Sequence, residues 1–256
     1  MHFRFLAIVF GASLVSTGAL AQTNSLVDGT KPVPVMPQLS AENRGDIYMA
    51  RKMYREAIDT FREGPAGNPV LLNKIGIAYH QLLQLDNARK SYEQALRLKP
   101  DYVEAMNNIG TIYYARKSYR RALTWYSRAL KVAPQDAKSA PIYMNLGTAY
   151  FARKKYEDTT KAYEHAMALD PDVFERHGSF GVMLEERTVE ERAKYHLYVA
   201  KLYAKDGRNE LALQYLRKAL EEGLKDKKKL DQEPEFAKLR DTPEFKELMA
   251  TEQRVL

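Results

Sequence analysis

Residues 67–100 read GNPVLLNKIGIAYHQLLQLDNARKSYEQALRLKP, and residues 101–134 read DYVEAMNNIGTIYYARKSYRRALTWYSRALKVAP. Laid over each other, they place Gly76 on Gly110, Tyr79 on Tyr113, Ala88 on Ala122, Tyr92 on Tyr126, Ala95 on Ala129 and Pro100 on Pro134, every pair 34 residues apart. Self-similarity at such a period is the mark of a repeat array, in which one supersecondary unit stacks on the next. Within a unit, Leu72, Ile75, Gly76 and Tyr79 share one helical face, and Ala88, Tyr92 and Ala95 share a face of a second helix. Small residues at Gly76, Ala88 and Ala95 let two backbones approach while the tyrosines fill the space beside them, so each unit is read as an antiparallel helical hairpin. Pro100, Pro134 and Pro171 end the second helix of a pair, and Asp101, Asp136 and Asp172 are placed to help start the next element.

Outward from this pair the phase continues in both directions. A third copy, Gly147, Tyr150, Thr159, Tyr163, Ala166 and Pro171, comes after three extra residues, with Thr159 in place of alanine. A shorter copy precedes them: Gly45, Tyr48, Ala57, Phe61 and Gly64. The last copy, Ala200, Tyr203, Ala212, Leu216 and Ala219 with Gly207 in its turn, comes 53 residues after Gly147, which is 19 more than one period. Thr188-Val189-Glu190-Glu191 has the form of a capping box, so a helix is expected from Val189 and an insert over 172–187. A competing register runs through Gly181, Leu184, Ala193 and Ala200. The repeats are thus expected at about 39–68, 69–102, 103–139, 140–171 and 188–223. Beyond Gly223, a basic run at Lys225–Lys229 leads into Pro234–Leu239 and Pro243–Leu248, two similar hexads with proline at a first helical position; over 224–256 these are expected to be short helices capping the open end of the stack.

The spacing of Gly or Ala, Tyr, Ala, Phe or Tyr, Ala and Pro resembles the tetratricopeptide repeat family, and two consecutive copies match it at all six places. The resemblance spans about 39–223 and implies an all-α, right-handed superhelical solenoid whose first helices line a concave, protein-binding groove.

The N-terminus carries a different signal. Arg4, the apolar run Phe5–Phe10 and the small-x-small triplet Ala19-Leu20-Ala21 before Gln22 have the form of a secretory signal peptide over 1–21, so a periplasmic or secreted, bacterial exported protein is expected. Removal of the leader would leave no membrane-spanning segment. Residues 22–38 end in Pro32, Pro34 and Pro37 and read as an extended linker.

Two recurrent features carry the functional expectation. Two residues before the repeat glycine stand Asn43, Lys74, Asn108 and Asn145. In the resembled family this position faces the groove, and stacked asparagines there form a ladder whose amides match a peptide unit without reading its side chains; Lys74 interrupts it. The lysine–arginine clamp by which chaperone-binding members hold a dicarboxylate is not supplied by Asn73, Ile77, Pro141 and Asn145. One turn beyond the glycine come His80, Tyr114 and Phe151, rings that either grip a partner or pack on the next repeat. The second feature is the hairpin turn, Ala-Arg-Lys-x-Tyr at 50–54, 115–119 and 152–156, which places Arg51, Lys52, Arg116, Lys117, Arg153, Lys154 and Lys155 along one edge, interrupted by the apolar turn Leu82–Leu85. A basic edge either meets an anionic envelope surface or polymer, or opposes helix dipoles while keeping the chain soluble.

The chain is 256 residues long, with 45% hydrophobic and 29% charged residues, 40 Lys plus Arg against 33 Asp plus Glu, a net charge of +7 and no cysteine. Thiol nucleophiles, zinc–thiolate and iron–sulfur sites are therefore excluded. His80, His165, His177 and His196 are scattered without metal-ligand spacing, so no metal is expected. His177-Gly178-Ser179-Phe180-Gly181 lacks the order of a nucleophile elbow, and no phosphate-binding glycine loop occurs. The expectation is a non-catalytic scaffold without cofactor that binds a protein or peptide segment in its groove, within an envelope complex. The alternative is an adaptor for an anionic surface, and the third class is an envelope hydrolase using carboxylates of the insert. Nucleic acid is not an expected partner, and the sequence leaves the oligomeric state open.

Overall fold

A computed structural model describes residues 39–175, 188–224 and 227–250. The expected signal peptide and proline-rich linker, 176–187 of the insert and the competing-register positions Gly181 and Leu184 lie outside the described residues. Among the described residues five helical hairpins succeed one another: α1 (Ala41–Ala50) with α2 (Tyr54–Arg62), α3 (Pro69–Gln81) with α4 (Leu85–Leu98), α5 (Val103–Ala115) with α6 (Tyr119–Val132), α7 (Ala140–Ala152) with α8 (Tyr156–Leu169), and α9 (Val189–Lys205) with α10 (Asn209–Glu221). A short 3-10 turn at Ala137–Ser139 accommodates the extra residues before α7, with the Asp136 carboxylate accepting from the Lys138 N–H. Asp101 does not play this part for α5, whose N-cap is Tyr102 without a side-chain cap bond. Among the described residues there is no strand, and no helix is long and apolar enough to cross a membrane.

The first four hairpins each close on a ring laid over a glycine. A Cβ at Gly45 would stand 2.2 Å from the Phe61 ring, at Gly76 2.4 Å from Tyr92, at Gly110 2.5 Å from Tyr126 and at Gly147 2.5 Å from Tyr163, closer than any side chain tolerates. The glycines are required by close approach, and the four rings are fully buried. In the last hairpin the pair changes on both sides: Ala200 takes the glycine place, Leu216 the ring place, and both are fully buried in one core. Ala57, Ala88, Ala122, Ala129 and Ala212 on the second helices are likewise fully buried. The turns share one geometry. In the third repeat the Ser118 N–H donates to the Tyr113 carbonyl and the Lys117 N–H to that of Tyr114, the paired bonds of a Schellman motif. The residue at its left-handed position is Lys52, Leu83, Lys117 or Lys154 in the first four hairpins, and glycine in the last, at Gly207.

At Thr188 the hydroxyl accepts from the Glu191 N–H while the Glu191 carboxylate accepts from the Thr188 N–H, so α9 starts on a reciprocal capping box. The C-terminal segment folds as α11 (Lys227–Gln232), a 3-10 turn at Pro234–Phe236 and α12 (Pro243–Ala250). The first hexad is therefore a tight turn rather than an α-helix, and Lys227–Lys229 opens a helix. Leu230, Phe236, Leu239, Phe245 and Leu248 from this segment enter the core of the last two hairpins.

Candidate functional site

The first helices α3, α5 and α7 lie side by side, and a cleft of about 570 Å³ opens across them. Its floor is Asn73 and Ile77 on α3, Val103, Asn107 and Asn108 on α5, and Pro141 and Ile142 at the start of α7. Lys99, Asp101, Glu104 and Lys138 line it with charges of both signs. Two amide pairs cross between repeats: the Asn108 Nδ2 donates to the Asn73 Oδ1 at 3.0 Å, and the Asn145 Nδ2 to the Asn107 Oδ1 at 3.0 Å. Asn107 keeps its N–H donors and Asn108 its carbonyl, presented at the cleft. Asn145 is 1% exposed and its carbonyl oxygen has no hydrogen-bond partner, so it supports Asn107 from beneath. The ladder expected from one residue per repeat is thus built from two offset columns, Asn73 and Asn107 three residues before the glycine, Asn108 and Asn145 two before it. The signal for the missed column was present, because Asn73 and Asn107 are themselves 34 residues apart.

Other expected groove residues go elsewhere. The Lys74 ammonium is 2.6 Å from the Asp46 carboxylate and 2.8 Å from that of Glu42, both on α1. Burial on its own would lower the Lys74 pKa, but the hydrogen bonds to Asp46 and Glu42 outweigh it and hold the value above the usual lysine range. Asn43 is exposed at the end of the stack, its backbone N–H capped by Ser40. His80 is partly buried, which pushes its pKa below the ordinary value. Tyr114 and Phe151, each 5% exposed, are core residues rather than groove contacts. Tyr114 packs on Tyr119 at 5.3 Å between ring centres, and Phe151 on Tyr156 at 5.8 Å and Tyr198 at 5.6 Å. In the third and fourth repeats the position one turn past the glycine is covered by the tyrosine of its own hairpin turn, and in the fourth also by Tyr198 of the next hairpin.

The basic edge is present but partly matched. Arg116 pairs with Asp86 at 2.8 Å, Lys155 with Asp158 at 3.5 Å, Lys205 with Glu164 at 2.6 Å and Arg208 with Asp172 at 2.6 Å. Arg51, Lys52, Lys117 and Lys154 are exposed, and Arg153 is partly buried. In the last hairpin the His196 Nδ1 lies 2.7 Å and the Arg192 Nε 3.0 Å from the Glu222 carboxylate, which fastens α9 to the end of α10. Among the described residues no group of three histidine or carboxylate ligands is placed to hold a metal ion.

Family models described as tetratricopeptide repeat match residues 73–141 and 140–173. The chain carries tetratricopeptide repeats, and its fold is an α-solenoid of such helix-turn-helix units, a fold typical of non-catalytic protein-interaction proteins. An uncharacterized protein, ycf37 of Guillardia theta, is 35% identical over 95 residues, 34% of this chain and 53% of that protein. Protein O-mannosyl-transferase Tmtc2 of Drosophila melanogaster is 38% identical over 87 residues, 33% of this chain and 9% of that protein. The chain therefore spans about half the length of the first relative and a small part of the second. The solved structure of PilF from Pseudomonas aeruginosa matches with a TM-score of 0.53 at 18% identity, covering 82% of this chain and 86% of that one, which is a likeness of fold.

Proposed function

We propose that the chain is a scaffold that holds an extended segment of a protein partner in the cleft across α3, α5 and α7. The observation that carries this reading is the composition of the cleft: amide donors and acceptors at Asn107 and Asn108, apolar floor at Ile77, Val103 and Ile142, and charges of both signs around them. A polypeptide offers the complementary set, main-chain N–H and C=O for the amides and side chains for the apolar floor. A polymer of one charge sign does not, because Asp101 and Glu104 would repel an anion and Lys99 and Lys138 a cation. The leader-like first 21 residues support a place outside the cytoplasm, in the periplasm or beyond, and an envelope complex as the setting.

A peptide selected from a random-sequence library against the full chain supplies the probe. Hydrogen exchange with and without it should show protection in α3, α5 and the start of α7, with little change in α4, α6 and α8. Protection confined to the second helices or the hairpin turns would overturn the reading.

A further inference from the structure

We infer that a second site, outside the peptide cleft, binds a phosphate-bearing anion in the basic hollow between the turns of the third and fourth repeats. This hollow measures about 340 Å³ and is lined by Lys117, Ser118, Tyr119, Arg120, Arg121 and Arg153. Four cationic side chains from two successive repeats meet there, and none of them pairs with a carboxylate among the described residues. The Arg121 guanidinium stands 5.6 Å from the centre of the Tyr113 ring, a contact that orients it without neutralising its charge. At the start of α4 and in the first turn of α8, Asp86 and Asp158 are paired with other cations, Arg116 at 2.8 Å and Lys155 at 3.5 Å. Like charges held together repel one another, and a bound anion relieves that repulsion.

The chemistry of the lining selects the ligand. Three guanidinium groups offer planar forks that match phosphate oxygens two at a time, and the lysine adds a point charge. α6, which starts at the hollow, carries no acidic residue in its first turn, so its positive end adds to the same field rather than being neutralised. A multiply charged phosphate compound uses these groups together, whereas a single carboxylate leaves most of them unmatched. The hollow lies at the hairpin turns and the peptide cleft at the starts of α5 and α7, so occupancy of one does not depend on the other.

Inorganic pyrophosphate is the probe, titrated calorimetrically into the full chain at low and at physiological salt. Saturable binding that weakens with salt is expected, because counter-ions compete for exposed cations. Arg120→Gln with Arg121→Gln should weaken it by about tenfold, the loss of two charge-assisted contacts. Arg51→Gln with Lys52→Gln, which removes the same charge from the same edge at a distant turn, should leave affinity within about twofold. Both pairs are exposed, and matching circular-dichroism melts establish that the fold is kept. A second arm uses phosphatidylglycerol vesicles against phosphatidylcholine alone. Vesicle binding displaced by pyrophosphate assigns the phosphate to a lipid headgroup, and pyrophosphate binding without vesicle binding assigns it to a soluble compound; either supports the site. Absence of saturable pyrophosphate binding, or equal loss in the two variants, overturns it.

Discussion

Tyr126→Ala should cost about 3–5 kcal/mol, the range for removing a large buried ring from a packed core. The ring is fully buried, lies directly over Gly110, and shares its core with Met106, Ala122, Leu123, Ala129, Ile142 and Ala149 from its own hairpin and the next. Its loss opens a cavity beside a glycine, where no side chain can lean in to fill it. Against a total of about 5–15 kcal/mol for a domain, this is a large share. In a repeat stack the loss also weakens the interfaces on both sides. Urea unfolding followed by circular dichroism reads the effect as a midpoint shift, and a loss under about 1 kcal/mol would contradict the packing described.

Gly110→Leu attacks the same contact from the other side. The added Cβ alone would sit 2.5 Å from the Tyr126 Cε1 and 2.6 Å from its Cδ1, and the rest of the leucine has to go further into a filled core. Overpacking of this kind costs typically ~1–3 kcal/mol. The two substitutions are coupled: in the double variant the leucine occupies space that the ring vacates, so the combined loss should fall short of the sum by about 0.5–3 kcal/mol. The chain already contains a precedent for paired change, since the last hairpin replaces glycine and ring with Ala200 and Leu216. Thermal unfolding of the two single variants and the double decides it. Simple additivity would mean that Gly110 and Tyr126 do not share one contact.

This pairing explains why the fold is legible in the sequence. A glycine and a ring 16 residues apart, recurring at intervals of 31, 34 and 37 residues, encode a contact that depends only on the geometry of one hairpin. The site is less legible because its contacts cross between hairpins. Asn108 meets Asn73, and Asn145 meets Asn107, at separations of 35 and 38 residues, so reading one position per repeat finds half of each pair. Tyr114 and Phe151 occupy equivalent places in their repeats, and spacing alone does not distinguish a groove ring from one that the neighbouring repeat covers, as it covers both. The basic stripe is obscured for the same reason: Arg116 is matched by Asp86 of the preceding repeat, whereas Arg120 and Arg121, outside the Ala-Arg-Lys-x-Tyr motif, join Lys117 and Arg153 in the hollow.

Capture of a partner segment by the amides of the cleft is tested most directly by the affinity of the library-selected peptide for three forms of the full chain: the parent and two double variants. Asn107→Ala with Asn108→Ala should weaken it by about tenfold, at about 0.5–1.5 kcal/mol net for each hydrogen bond removed. Since these amides also join neighbouring repeats, affinities are compared well below the melting temperatures, with helical content matched to the parent. Lys117→Glu with Lys154→Glu, on the turn edge, should leave affinity within about twofold at physiological salt, where exposed charges are screened beyond about 8 Å. Loss of binding in the charge-reversed form with no effect of the asparagine pair would contradict the account and move recognition from the cleft to the edge.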